Sequence, residues 1–277
     1  MFNFFKKKPS YYLSLCVISK NQGPYLIEWI EYHRMLGVDH FYFYDNNSTD
    51  NTRYLLSYYM NKRILDYVFF SPHPGQLLAY MDCIKKHKES NQWIGFIDMD
   101  EFIVPIASKN IRDFLRNYEG SNGLGINWIN YGSSGYKEKP QGLQLETFVC
   151  HSKQDFGVNK HIKSIVDPNR VLNVSSNPHY FIFKDDGFVR DEDGELIVSG
   201  AFSKVNKSQK IRINHYALRS ESEFRDKMAR GRATIKASHP WQLFLAHDRN
   251  DIKDDIMCQY IPELKKRIGL VEKEIEL

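Results

Sequence analysis

The sequence predicts an α/β fold built on an open, doubly wound, mostly parallel sheet. Three observations carry that reading. Short apolar runs alternate with segments of helical character from residue 11 to residue 97. The runs lack the strict in–out alternation of a half-exposed strand, as expected where helices cover both faces of a sheet. Each run stops at a polar cluster, and strands separated by helices pair in parallel.

Residues 11–18 (Tyr-Tyr-Leu-Ser-Leu-Cys-Val-Ile) read as the first strand, and Ser19 to Gly23 as a loop. Pro24 opens a helix at the position that tolerates proline best. Leu26, Ile27, Ile30 and Met35 share one face, and Gly37 ends the helix. The second strand runs from Val38 to Tyr44 and stops at Asp45-Asn46-Asn47-Ser48-Thr49-Asp50. Asp50 is the expected N-cap of a helix through Tyr59. Residues 64–70 form the third strand, residues 75–86 a helix, and residues 93–97 the fourth strand. The fourth strand ends in Asp98-Met99-Asp100-Glu101-Phe102. Ligands on such sheets bind beyond the carboxyl ends of the strands. The clusters Lys20-Asn21, Asp45-Asn46, His73 to Gln76 and Asp98 with Asp100 are therefore expected to line one crevice.

Composition narrows the function classes. A length of 277 residues suits one large or two small domains. With 42% apolar and 26% charged residues, the chain is neither disordered, collagen-like nor a disulfide scaffold. The net charge of +4 is mild, and no dense basic stripe points to nucleic acid. Aromatics at 14% suit stacking surfaces as well as a large core. Cys16, Cys83, Cys150 and Cys258 are far apart and form no CxxC, which argues against structural zinc and for free thiols in a reducing compartment. No apolar stretch reaches the ~20 residues that span a bilayer, and the N-terminus lacks the order of a secretory signal. The expectation is a cytoplasmic protein. Phe2, Phe4 and Phe5 beside Lys6, Lys7 and Lys8 suit contact with the inner face of a membrane, or simply a frayed terminus.

No GxGxxG follows the first strand and no GxxxxGK[ST] occurs, so the dinucleotide and P-loop fingerprints are absent. What remains is the acidic pair. At the end of a strand, positions i and i+2 point the same way, so Asp98 and Asp100 repel unless a cation lies between them. Manganese or magnesium prefers such oxygen ligands and keeps positions open for phosphates. The pair suits a nucleotide diphosphate whose leaving phosphate is neutralised by the metal.

Asn21, the Asp45 to Asp50 cluster and Asp98 to Phe102 resemble the nucleotide-sugar half of family 2-like glycosyltransferases with the GT-A fold. Asn127-Trp128, Tyr131-Gly132-Ser133-Ser134-Gly135, Lys163 to Pro168, His179-Tyr180, Asn214-His215-Tyr216 and Ser220 to Gly231 sharpen the likeness to glycosyltransferase family 92. The resemblance covers residues 11–232. It implies a Rossmann-like nucleotide-sugar half over residues 11–105 and an acceptor half over residues 106–232. Residues 1–10 are then a tail and residues 233–277 a helical, charged extension that Pro262 interrupts. Lys265-Lys266-Arg267 beside Ile261, Leu264, Ile268 and Leu270 make the end of that extension a basic amphipathic helix. It reads as a solvated face packed by its other side, or as a membrane contact.

The resemblance also assigns roles. Asp100 matches the metal-binding position of the DxD pair, and Asp98 the position that contacts the ribose or the metal. Asp45 matches the acidic residue that contacts the nucleoside, although an Asx-turn accounts for it equally. Ser19 and Asn21 match the first nucleotide loop. Asp82 falls near a base- or ribose-contacting position, or on a solvated helix face. His215 falls where a downstream histidine reaches the metal, and imidazole is compatible with manganese. Lys163 and Arg219 are candidates to face the diphosphate. Ser133 and Ser134 fall near the acceptor or the donor sugar, or in a flexible turn, and Trp128 is an acceptor candidate suited to stacking on a sugar face, or a core residue. Inversion at the anomeric carbon needs a carboxylate base. Glu101 is the first candidate, though strand alternation turns it away from the aspartates, and Glu146, Asp155 and Asp185 are others. The implied function is metal-dependent transfer of a hexose, galactose being the one the resemblance suggests. The donor is a UDP-sugar and the acceptor a glycan or lipid-linked saccharide, in surface polysaccharide or lipopolysaccharide synthesis. A nucleotidyltransferase using the same carboxylates, or a non-catalytic carbohydrate-binding protein, is the alternative.

Overall fold

A computed structural model describes residues 8–231 and 236–276. Phe2, Phe4, Phe5, Lys6 and Lys7, which raised the membrane reading of the tail, lie outside the described residues.

The first seven elements appear where the apolar runs and the helical segments between them predict them. They are β1 (Tyr11–Ser19), α1 (Gly23–Met35), β2 (His40–Asp45), α2 (Thr52–Asn61), β3 (Leu65–Phe69), α3 (Gln76–His87) and β4 (Asn91–Phe96). Then follow β5 (Glu101–Pro105), α4 (Ile111–Leu115), β6 (Gly123–Asn130), α5 (Gln144–Thr147), β7 (Cys150–His151) and β8 (Ile162–Val166). The chain continues through β9 (Val171–Val174), β10 (Phe181–Phe183), β11 (Ile211–His215), α6 (Glu221–Arg230), α7 (Trp241–His247), β12 (Ile252–Lys253) and α8 (Ile261–Glu276).

Eight strands form one sheet in the order β3-β2-β1-β4-β8-β6-β11-β5. The β3-β2-β1-β4 half is wholly parallel. Beyond it, β8 runs antiparallel to both β4 and β6, and β5 runs antiparallel to β11. This is the mixed α/β sheet expected of a GT-A arrangement, with residues beyond 105 continuing the same sheet.

The period of two along each strand sorts the core. Leu13, Leu15 and Val17 of β1, with Phe41 and Phe43 of β2, join the core that holds residues of α1 and α2. Cys16 and Ile18, with Tyr42 and Tyr44, join the opposite core with Ala79, Tyr80 and Cys83 of α3 and the β9–β10 hairpin. Cys16 and Cys83 are thus buried free thiols.

Three local expectations shift. The second helix begins at Thr52 after Asn51. Asp50 instead accepts from the Thr52 N–H at 3.0 Å and the Gly23 N–H at 3.0 Å, tying α2 to the start of α1. Pro262 does not interrupt a helix but lies in the first turn of α8, where its missing N–H costs nothing. The C-terminal extension is not purely helical: β12 pairs with β7. It is also part of the core, since Leu264, Ile268 and Val271 of α8 join the α1 side. Arg267 reaches buried Glu31 of α1 at 3.8 Å and Lys265 pairs with Glu146 at 2.7 Å. The apolar stripe of α8 therefore faces its own chain. No helix among the described residues is long and apolar enough to cross a membrane.

Two buried features make the register sensitive. Gly123 opens β6 at φ 153°, and a Cβ there would lie 2.2 Å from the Ile165 carbonyl oxygen of β8. Glu28 of α1 accepts from the Gln144 and Leu145 N–H groups at 2.9 and 2.8 Å, anchoring α5. Burial pushes its carboxyl up to about 7, against the pull of those two N–H groups and Arg219.

Gly123→Ala is expected to lower stability by about 3 kcal/mol or more, from steric conflict plus backbone strain. Urea denaturation checks this, and an unchanged midpoint refutes the close approach. The Glu28 carboxyl has a higher pKa folded than unfolded, so the folded state holds its proton more tightly. Its contribution favours the fold fully below about pH 4.5 and is lost as pH rises through about 7. Glu28→Gln should flatten the stability profile between those values by about 3.5 kcal/mol. Denaturation at several pH values tests it, and a slope equal to the parent's contradicts it.

Candidate active site

The loops that follow β1, β2, β3 and β4 converge on one cleft of about 800 Å³. Ser19, Lys20, Asn21, Asn46, Asn47, His73, Gln76, Asp98 and Asp100 line it, as the parallel sheet requires. The first two loops are stitched together. The Asn21 N–H donates to Ser48 Oγ at 2.9 Å, and Asn21 Oδ1 accepts from the Thr49 N–H at 2.7 Å. Asn21 and Asn47 hold left-handed backbone, at φ 53° and 62°, which asparagine tolerates.

Asp98, Met99 and Asp100 form a turn between β4 and β5 rather than the end of a strand. The two carboxylates accordingly take different partners. Asp98 accepts from Lys163 Nζ at 2.8 Å and Gln76 Nε2 at 2.7 Å. Asp100 pairs with Lys227 Nζ at 2.7 Å and lies 3.8 Å from His215 Nε2. The repulsion expected between the aspartates is relieved by one lysine each, from β8 and from α6.

Below the turn lies a buried charge cluster. Glu101, 0% exposed, accepts the Asp98 N–H at 2.8 Å, and Lys163 Nζ is 3.6 Å from its carboxylate. Burial works against the Lys163 charge, but Asp98 and Glu101 outweigh it and push its pKa up. Burial drives Glu101 up, toward its neutral form. Lys163 and Asp98 thus carry the opposite charges, while Glu101 holds the turn.

Asp100 and His215 have the chemistry of a metal site. Burial alone would raise the Asp100 carboxyl, but Lys227, His215 and Arg219 hold it well below the usual carboxylate range. Burial lowers His215 to about 3, so its imidazole is neutral at pH 7. Its Nδ1 is buried with no hydrogen-bond partner among the described residues. A carboxylate oxygen and a neutral imidazole nitrogen fit manganese, and the carboxylate alone also suits magnesium. Among the described residues no group of three or more His, Cys, Asp or Glu could hold a metal. A cation at this pair therefore needs oxygens from a ligand, which is how magnesium usually binds with substrate phosphates.

The remaining candidates fall into two sets. Trp128 lines the cleft but is only 8% exposed. It stacks on His161 at 4.8 Å and sits 4.0 Å from His215, with its Nε1 lacking a partner among the described residues. Arg219 lines the cleft with its guanidinium 3.6 Å from the Tyr25 ring centroid, and donates to Gln22 Oε1 at 3.0 Å. Asp45, Asp82, Ser133 and Ser134 are outside the lining. Asp45 accepts from the Tyr67 hydroxyl at 2.9 Å and the Ser48 N–H at 3.0 Å, an Asx-type turn. Asp82 accepts from the Tyr44 hydroxyl at 2.9 Å and pairs with Lys86 at 2.8 Å. The Ser133 and Ser134 N–H groups donate to Asp248 at 2.7 Å and Asn250 at 2.8 Å, so that turn is pinned and its donors are engaged. Glu146, Asp155 and Asp185 are also outside the lining.

Sequence reasoning missed the charged face of α6, from which Glu223, Asp226, Lys227 and Arg230 line the cleft. The capping box of Ser220 and Glu223 fixes where that helix starts. Spacings of three and four residues from Glu223 then put these side chains on one face, a signal that was available.

Residues 11–244 match the sequence pattern described as Glycosyltransferase family 92. The chain is 28% identical over 243 residues to a glycosyltransferase family 92 protein of Oryza sativa subsp. japonica, covering 85% of this chain and 38% of that protein. It is likewise 28% identical over 243 residues to one of Ricinus communis, covering 83% of this chain and 39% of that protein. The chain thus spans well under half the length of either relative. Among solved structures, S. aureus TarS 1–349 in complex with UDP-GlcNAc has a TM-score of 0.45 at 14% identity, over 92% of this chain and 72% of that one. Glucosyl-3-phosphoglycerate synthase from Mycobacterium tuberculosis, in complex with Mn2+, UDP and glucosyl-3-phosphoglycerate, has a TM-score of 0.30 at 17% identity, over 43% of this chain and 44% of that one. With the family pattern running through nearly all of the sheet and the cleft it carries, this chain belongs to glycosyltransferase family 92.

Proposed function

We propose that the protein transfers a hexose from a UDP-sugar to a saccharide acceptor, glycan or lipid-linked, in a reaction that depends on manganese or magnesium. The observation that carries the reading is the Asp100–His215 pair at the carboxyl end of the parallel strands, in a cleft large enough for a nucleotide sugar. Family membership supports sugar transfer.

In this reading the loops after β1 and β2 receive the nucleoside, with Ser19 and Asn21 in the wall. Asp98, oriented by Lys163 and Gln76, accepts a hydrogen bond from the ribose. Asp100 and His215 would hold the metal. A divalent ion bound there supplies Lewis-acid neutralisation of the charge that gathers on the leaving diphosphate. Arg219 and Arg230 line the same cleft and oppose that charge. The acceptor enters beside Trp128, His161 and His179, whose rings exclude water. Inversion requires a carboxylate to take the acceptor hydroxyl proton. Asp226 lines the cleft, exposed, without a hydrogen bond or ion pair to another described residue, and suits that role. Glu101 acts from beneath the floor by fixing the Asp98 backbone.

Asp100→Asn should make UDP affinity insensitive to manganese and reduce transfer by about 100-fold or more, with an unchanged circular dichroism spectrum. Calorimetric UDP titrations with and without Mn2+, alongside a sugar-release assay, read both effects. A variant that transfers at the parent rate would refute the metal assignment.

A further inference from the structure

Asp100 is not bare. Lys227 Nζ sits 2.7 Å from its Oδ2 and donates as well to the Ala217 carbonyl at 2.9 Å. An ammonium has three protons to donate, and these two bonds leave one uncommitted. The other carboxylate oxygen faces His215 Nε2 at 3.8 Å. The cation position on Asp100 is thus shared between an internal ammonium and the place where a carboxylate and an imidazole meet.

The two lysines of the turn differ in kind. Lys163 is 1% exposed on β8, wedged between Asp98 and Glu101, with no room to leave. Lys227 is 19% exposed at its side chain, on the cleft face of α6, with Arg230 one turn further on. A long flexible stem can carry its charge several ångströms without moving the helix.

We propose, building on the donor reading above, that Lys227 is an exchangeable counter-cation. Without donor it neutralises Asp100 and opposes metal binding. When a divalent cation arrives with a nucleoside diphosphate, the ammonium leaves Asp100 and binds a diphosphate oxygen. Two positive charges on one partly buried carboxylate repel strongly, so metal and lysine exclude each other there. The diphosphate brings the negative charge that accommodates both. Metal affinity is therefore low in the empty protein and rises with the nucleotide, a reciprocal coupling between the two ligands.

The test is binding. Mn2+ titrations followed by electron paramagnetic resonance, without nucleotide, compare the parent with Lys227→Met. The variant should bind Mn2+ about tenfold or more tightly, because the competing charge is gone. UDP binding in EDTA should weaken about tenfold, because a diphosphate ligand is lost. Lys227→Arg keeps the charge and should bind Mn2+ as weakly as the parent. Lys227→Gln, which retains hydrogen-bonding capacity, serves if the methionine variant does not fold. Unchanged or weaker Mn2+ affinity in the neutral variants overturns the exchange. If the parent binds UDP with Mn2+ but the variants behave alike, only the lysine proposal falls. If the parent binds neither, the donor reading falls with it.

Discussion

The cleft depends on one buried ion pair. Lys163 comes from the middle of β8, the strand that runs against its neighbours, and meets Asp98 at the turn after β4. Taking an ammonium out of water is costly, and only close opposite charge offsets it. Asp98, 2.8 Å from the Lys163 ammonium, provides that charge, and Glu101 fixes the turn by accepting the Asp98 N–H. The turn therefore has little freedom. Its shape sends one carboxylate toward α3 and the other toward β11 and α6, so that each meets a different set of partners.

That geometry explains what was legible in the sequence and what was not. The first four strands were legible because helices bury both faces, which demands continuous apolar runs such as residues 40–44. The gathering of polar clusters at one crevice followed from parallel pairing alone. The capping box of α6 was legible because it is local. The direction of β8 was not, since an antiparallel strand buried on both faces carries the same apolar signature as a parallel one. Nor was the turn at Asp98. Alternation along an extended chain put both aspartates on one side, and a bend of three residues undoes that inference.

The candidate residues divide along the same line. Asp98, Asp100, Ser19, Asn21, Trp128 and His215 line the cleft because strand ends and the sheet order bring them there. Asp45, Asp82, Ser133 and Ser134 form local hydrogen bonds instead. Asp, Asn and Ser in loops serve the backbone as readily as a ligand, and sequence alone does not separate the uses. The ion pair of Lys227, unlike the helix face that carries it, was invisible for another reason. Its partner lies 127 positions earlier, and nothing local marks a long-range ion pair.

The α1 face against which α8 packs has a consequence for biosynthesis. Strands β1 to β4 and helix α1 all precede α8 in the chain, and within that stretch Tyr11 of β1 already pairs with Asn91 of β4. The residues that shield α1, Leu264, Ile268 and Val271, are translated well over a hundred positions later. Until then an apolar stripe stays open to water on a half-built sheet. Closing that face is therefore a long-range step, whose cost in chain entropy falls on the last helix.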